Sequence, residues 1–193
     1  MKRWLYRRFG TWRGLARLLL AYAELASGRI ERFRLRHPER VKRVVFVCQG
    51  NICRSAFAEQ VARGAGVAVA SVGLATTTGA APPDMALRAA RRQGVDMARH
   101  QACDWRDFEF LPGDLVLVME IRQAHHARLR LGKRSDLQLA LLGMWCDPPV
   151  PHLHDPFGLS DDYFDSCFQR VRHAVRRLVP MLPQACRSAE AWP

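Results

Sequence analysis

The apolar positions of this chain fall into two textures, and the change between them divides the sequence. Trp12, Leu15, Leu19, Tyr22 and Ala26 recur at helical spacing, with Leu18 and Leu25 beside them, and Ser27-Gly28 supplies a stop. This predicts an amphipathic helix with Arg13 and Arg17 on or beside its polar side. A charged stretch, Arg29 to Arg43, follows and is interrupted by Pro38. From Val44 onward short apolar runs alternate with helical patterns. Val44–Val47, Val67–Leu74, Asp114–Met119 and Leu137–Leu142 read as strands. Ser55–Arg63, Pro83–Gln93, Glu120–Leu131 and Asp161–Leu178 read as helices, with stops at Gly64, Gly94, Gly132 and Pro180.

Strand alternating with helix predicts an α/β fold: a four-stranded parallel sheet, doubly wound, with helices on both faces. The chain divides into a helical extension over 1–43 and an α/β domain over 44–193. In such sheets ligands bind beyond the carboxyl ends of the strands, so the residues after Val47 are the first place to look for chemistry.

Charge sharpens the division. Residues 1–43 hold thirteen Lys or Arg against three Glu, whereas the remaining 150 residues hold seventeen against fifteen. The basicity belongs to the extension, which fits contact with an anionic membrane surface or an acidic partner. Nucleic acid is disfavoured, because the body adds no second basic patch. No stretch is long enough to span a bilayer. The apolar run Leu15–Ala26 contains Arg17 and Glu24, which argues against a secretory signal. The six cysteines are irregularly spaced and point to a reducing, cytoplasmic setting, with the extension at the inner membrane face.

After the first strand comes Cys48-Gln49-Gly50-Asn51-Ile52-Cys53-Arg54-Ser55. A loop feeding a helix N-terminus aims several backbone N–H groups at one point, and the helix dipole makes that point attractive to a phosphate dianion. The same field favours the nucleophilic thiolate of Cys48. Gly50 allows a close backbone approach, and Asn51 suits a left-handed residue that braces the loop with its amide. Arg54 can grip two phosphoryl oxygens at once. Ser55 can donate to the sulfur when it leaves. Gln49, Gly50, Asn51, Ile52, Cys53 and Ser55 are thus candidate substrate-binding positions, with Cys48 and Arg54 catalytic.

Val44–Glu59, VVFVCQGNICRSAFAE, resembles the signature of low-molecular-weight protein tyrosine phosphatases, and a looser resemblance runs to Leu182. Ala56 departs from it, standing where the family usually has proline. The resemblance implies a flavodoxin-like three-layer sandwich and phosphotyrosine hydrolysis through a phosphocysteine, with no cofactor or metal. It implies that Asp155, in His154-Asp155-Pro156-Phe157-Gly158, is the general acid. Phe157 then walls the slot for the phenyl ring, and Asp147-Pro148 is a decoy. Ser71 and His100 match supporting residues of the phosphate loop, and many members pair the cysteine matching Cys53 with the nucleophile on oxidation. Cys103 and Glu120 depart from the usual arginine and aspartate, and neither is expected to touch the chemistry.

Two alternatives compete with this reading. Thioredoxin-coupled arsenate reductases share the loop but need two further neighbouring cysteines. Beyond the loop, Cys103, Cys146, Cys167 and Cys186 are each at least nineteen residues from the next. Metal binding by His125-His126 or His152-x-His154 lacks a cysteine or carboxylate set at ligand spacing, so these histidines are expected to be solvated.

Overall fold

The computed structural model describes residues 2–189. Four parallel strands, β1 (Arg43–Cys48), β2 (Val69–Gly73), β3 (Asp114–Val118) and β4 (Gln138–Leu141), form one sheet in the order β2-β1-β3-β4. β1 lies between β2 and β3, with Cys48 opposite Gly73 and Val47 opposite Val118. The sheet order reverses direction at β1, so the cleft beyond its carboxyl end is the natural ligand site.

Strand side chains alternate between two cores, as the pleat requires. Val44, Phe46, Leu115 and Leu117 face one side, with Phe57 of α3 (Arg54–Arg63) and Phe164, Phe168 and Val171 of α6 (Asp161–Leu178). Phe57 and Phe168 stack with centroids 4.1 Å apart. α4 (Asp84–Arg92) and α7 (Pro183–Ala189) complete that layer. Val45, Val47, Val116 and Val118 face the other side, against Ile121, Ala124 and Ala127 of α5 (Ile121–Leu131). The predicted elements therefore form, with ends shifted by a residue or two.

The N-terminal segment completes the second core. α1 (Lys2–Phe9) turns at Gly10 into α2 (Trp12–Ala26), capped by Thr11, whose hydroxyl accepts from the Gly14 N–H at 3.0 Å. Ala21, Ile30 and Phe33 are buried with the sheet residues of that face. Phe33 meets the His125 ring edge-on at 5.2 Å. The stretch after α2 thus inserts two apolar anchors into the core, although its composition is charged. α1 and α7 were not predicted from the sequence.

Candidate active site

Cys48 ends β1, and the loop Gln49–Cys53 wraps back over the N-terminus of α3. Asn51 adopts φ 52°, the left-handed conformation its short polar side chain tolerates. Its amide nitrogen donates to Ser55 Oγ at 2.9 Å and to Ser71 Oγ at 2.7 Å, while its Oδ1 accepts the Cys103 N–H at 2.9 Å. The Asn51 N–H points at Cys48 Sγ, 3.3 Å away. Because Ser55 Oγ accepts from Asn51, its proton is free for Cys48 Sγ at 3.0 Å. Ser71 in turn donates to the buried carboxylate of Glu59 at 2.5 Å. His100 bonds the Asn51 carbonyl through Nε2 at 2.8 Å and lies 3.6 Å from Glu59 through Nδ1. One connected network therefore runs from Glu59 to the Cys48 sulfur.

Gly73 explains how tightly this loop sits. A Cβ there would lie 2.8 Å from Thr76, 3.2 Å from the Asn51 Cβ and 3.2 Å from the Gln49 carbonyl. Gly50 is different, since a Cβ there would meet only Ile52 at ordinary contact distance. Nothing on the protein side demands glycine at position 50.

Arg54 is 1 % exposed. Its Nη1 donates to Glu120 Oε1 at 2.7 Å and to the Leu153 carbonyl at 2.8 Å, and its Nη2 donates to Asp155 Oδ2 at 2.5 Å. Burial disfavours the cation, but Asp155, Glu120 and Cys48 outweigh it and hold the guanidinium firmly protonated. Burial likewise opposes ionisation of Glu120, yet Arg54 keeps its carboxyl below the usual range. Nε of Arg54 is buried without a hydrogen-bond partner. One edge of the guanidinium is thus anchored, while the other offers Nε together with the Nη2 now held by Asp155. Cys48, Gln49, Gly50, Ile52, Cys53, Asp155 and Phe157 line one cleft of about 180 Å³. Phe157 is 60 % exposed at its edge, and its N–H bonds Asp155 Oδ1 at 3.2 Å. Burial pushes the Cys53 thiol well above its ordinary range, with Cys48 and Asp155 adding to the effect. All six cysteines are free.

Residues 43–188 match the family described as low molecular weight phosphotyrosine protein phosphatase. The chain belongs to this family. A probable low-molecular-weight protein-tyrosine-phosphatase from Ralstonia solanacearum, EpsP, is 31% identical over 154 residues, covering 74% of this chain and 97% of the relative. The tyrosine phosphatase AmsI of Erwinia amylovora superposes with a TM-score of 0.61 at 28% identity, over 74% of this chain and 93% of that one. Wzb of Vibrio vulnificus, solved in complex with benzylphosphonate, superposes with a TM-score of 0.60 at 25% identity, over 72% of this chain and 98% of that one. These relatives are phosphatases and give the arsenate reductase alternative no support.

For this phosphatase the fold gathers Cys48 through Ser55, Ser71, His100, Asp155 and Phe157 around one cleft or its supporting network. Asp147 lies elsewhere, paired with Arg177 at 2.9 Å on the surface. Three expectations need correction. Glu120 bonds Arg54 directly, because β3 ends beside the loop and the extra methylene still reaches the guanidinium. The Cys103 backbone N–H holds the Asn51 amide, so that position contributes through its main chain. His152 and His154 are not solvated: His152 is 7 % exposed and His154 is half-buried. Burial is the main cause that lowers the pKa of His152 to about 4, and it also lowers that of His154. Glu59 and Gly73 were missed, since neither carries a sequence signal apart from its place in the fold.

Proposed function

We propose that the chain hydrolyses phosphotyrosine in proteins through a phosphocysteine intermediate, using no metal or other cofactor. Cys48 Sγ attacks phosphorus while the bond to the phenolic oxygen breaks, and Asp155 gives its proton to the departing phenolate. Loop N–H groups and Arg54 carry the charge on the equatorial oxygens. Water then attacks the phosphocysteine, Asp155 takes a proton from it, and Cys48 leaves as thiolate with Ser55 donating to the sulfur. The observation that carries this reading is the half-anchored Arg54, whose buried Nε has no protein partner and whose Nη2 bonds Asp155, which lines one cleft with Cys48.

Ile52 and Phe157 at the cleft edge suit a flat aryl arm, and the complex of Vibrio vulnificus Wzb with benzylphosphonate supports that class. Turnover of para-nitrophenyl phosphate tests the reading. The parent should release phosphate and Cys48→Ser should not, since a hydroxyl is a far weaker nucleophile than a thiolate. Substantial turnover by Cys48→Ser would overturn it.

We take 44–193 as the phosphatase domain and 1–43 as an extension that meets an anionic membrane surface, which would place the enzyme at the inner face of a membrane in the cytoplasm. Among the described residues no helix is long and apolar enough to cross a membrane. α2 buries Gly14, Leu18 and Ala21, and it leaves Trp12, Leu19 and Leu20 exposed on the outward side, with Arg13 nearby. An aromatic and leucine face bordered by arginine fits the lipid interface. Because Ile30 and Phe33 belong to the core, point substitution is a cleaner test than truncation. The full chain should co-sediment with vesicles containing phosphatidylglycerol, less so in high salt, and Trp12→Glu with Leu19→Glu should abolish this. Failure of the parent to bind such vesicles would contradict the assignment.

A further inference from the structure

The segment that supplies the candidate acid is held on three sides. Leu153 is fixed to the sheet end, its N–H donating to the Met119 carbonyl at 2.9 Å and its carbonyl accepting from Arg54. Asp155 is held by Arg54 itself. Between them, His154 is held from outside the phosphatase domain. Its Nε2 shares a 3.3 Å hydrogen bond with Thr11 Oγ1, and its ring lies flush against Gly14 of α2. A Cβ on Gly14 would stand 2.8 Å from His154 Cδ2 and 2.2 Å from the Phe9 carbonyl. Gly10, at φ 75°, lets the α1–α2 corner press on Leu159 and Tyr163, which a Cβ would meet at 2.7 and 2.8 Å. Tyr163 closes the ring of contacts by donating through its hydroxyl to the His154 carbonyl at 3.3 Å.

Glycine weakens a helix by about 1 kcal/mol relative to alanine, yet α2 needs it at position 14, where the Phe9 carbonyl and the His154 ring both occupy the space a Cβ would take. The family match begins at residue 43, so this corner lies outside the matched residues. We propose that the α1–α2 corner is a clamp on the acid loop, with Thr11 and Gly14 as positioning residues that set where the Asp155 carboxyl meets the leaving oxygen. They touch neither substrate nor Asp155 and act through the His154 backbone. The extension thereby becomes part of the catalytic apparatus, and whatever engages its outer face gains a route to the acid.

This inference rests on Asp155 as the general acid, so the test carries Asp155→Ala as its reference. The full chain and the variants Thr11→Val, Thr11→Ser and Gly14→Leu are compared by kcat/KM on phenyl phosphate and on 2,4-dinitrophenyl phosphate. A basic phenolate needs the proton and a dinitrophenolate does not. Thr11→Val and Gly14→Leu should lose about tenfold on phenyl phosphate, a loss in keeping with a misplaced catalytic group. They should stay within about twofold on the dinitrophenyl ester, because the nucleophile and phosphate loop are untouched. Thr11→Ser should behave as the parent. The dinitrophenyl ester reports folding in the same sample, and Thr11→Val is the gentler variant should Gly14→Leu not fold. Equal losses on both esters, or none on either, while Asp155→Ala remains selective would overturn the clamp. If Asp155→Ala itself lost activity equally on both, the acid assignment would fall and the clamp with it.

Discussion

Arg54 and Glu120 are joined by a 2.7 Å hydrogen bond with both side chains sealed from solvent. The bond sets which edge of the guanidinium is left for an anion. Deleting one member of a buried ion pair strands the other, at a typical cost of about 3–5 kcal/mol. Glu120→Ala should therefore lower the unfolding free energy by about 3 kcal/mol and also reduce kcat/KM. Glu120→Asp should lose less on both counts. Urea unfolding with activity measured on the same samples checks this, and an alanine variant as stable as the parent would remove Glu120 from the role.

The Asn51 amide uses three of its hydrogen-bonding positions inside the protein, on Ser55, Ser71 and Cys103. Asn51→Ala should leave those partners unpaired and also place alanine at positive φ. A destabilisation of about 1–3 kcal/mol is expected from unsatisfied buried polar groups, together with a fall in kcat. Ser71→Ala removes only the middle of the chain to Glu59 and should cost less. Equal unfolding midpoints for Asn51→Ala and the parent would show that the loop does not depend on this amide.

His152 carries a pH prediction. Burial, reinforced by His154 and Arg54 and opposed by Glu120, lowers its folded pKa to about 4 from an ordinary 6.5. Between those values the unfolded chain binds a proton that the folded chain refuses, so stability falls as pH drops from about 6.5 towards 4. The contribution is on the order of 3 kcal/mol. Below that window Glu120, whose carboxyl is held low, adds its own loss. His152→Leu should flatten the decline of thermal midpoint between pH 6.5 and 4.5, and an unchanged slope would assign the decline to other groups.

The sheet and its order of elements were legible because the apolar runs at Val44, Val67, Asp114 and Leu137 are short and separated by strong helical patterns. The loop was legible because Cys48 to Ser55 packs its chemistry into eight consecutive residues. Glu120, Glu59 and Gly73 were not, since their meaning lies in contacts across 66, 12 and 22 residues of sequence with Arg54, Ser71 and Asn51. The extension was only partly legible for a related reason. Its helical stripe was visible, but only the fold shows that Gly14 faces His154 and that Ile30 and Phe33 enter the core.

The proposed mechanism turns on a covalent bond between phosphorus and the Cys48 sulfur. Rapid acid quench of the full chain during turnover of an aryl phosphate, followed by peptide mass analysis, tests it directly. Phosphate is expected on the Cys48 peptide, its amount rising in Asp155→Ala with a dinitrophenyl ester because hydrolysis of the intermediate loses its base. Phosphate release without any phosphorylated Cys48, or with phosphate on another side chain, would contradict it.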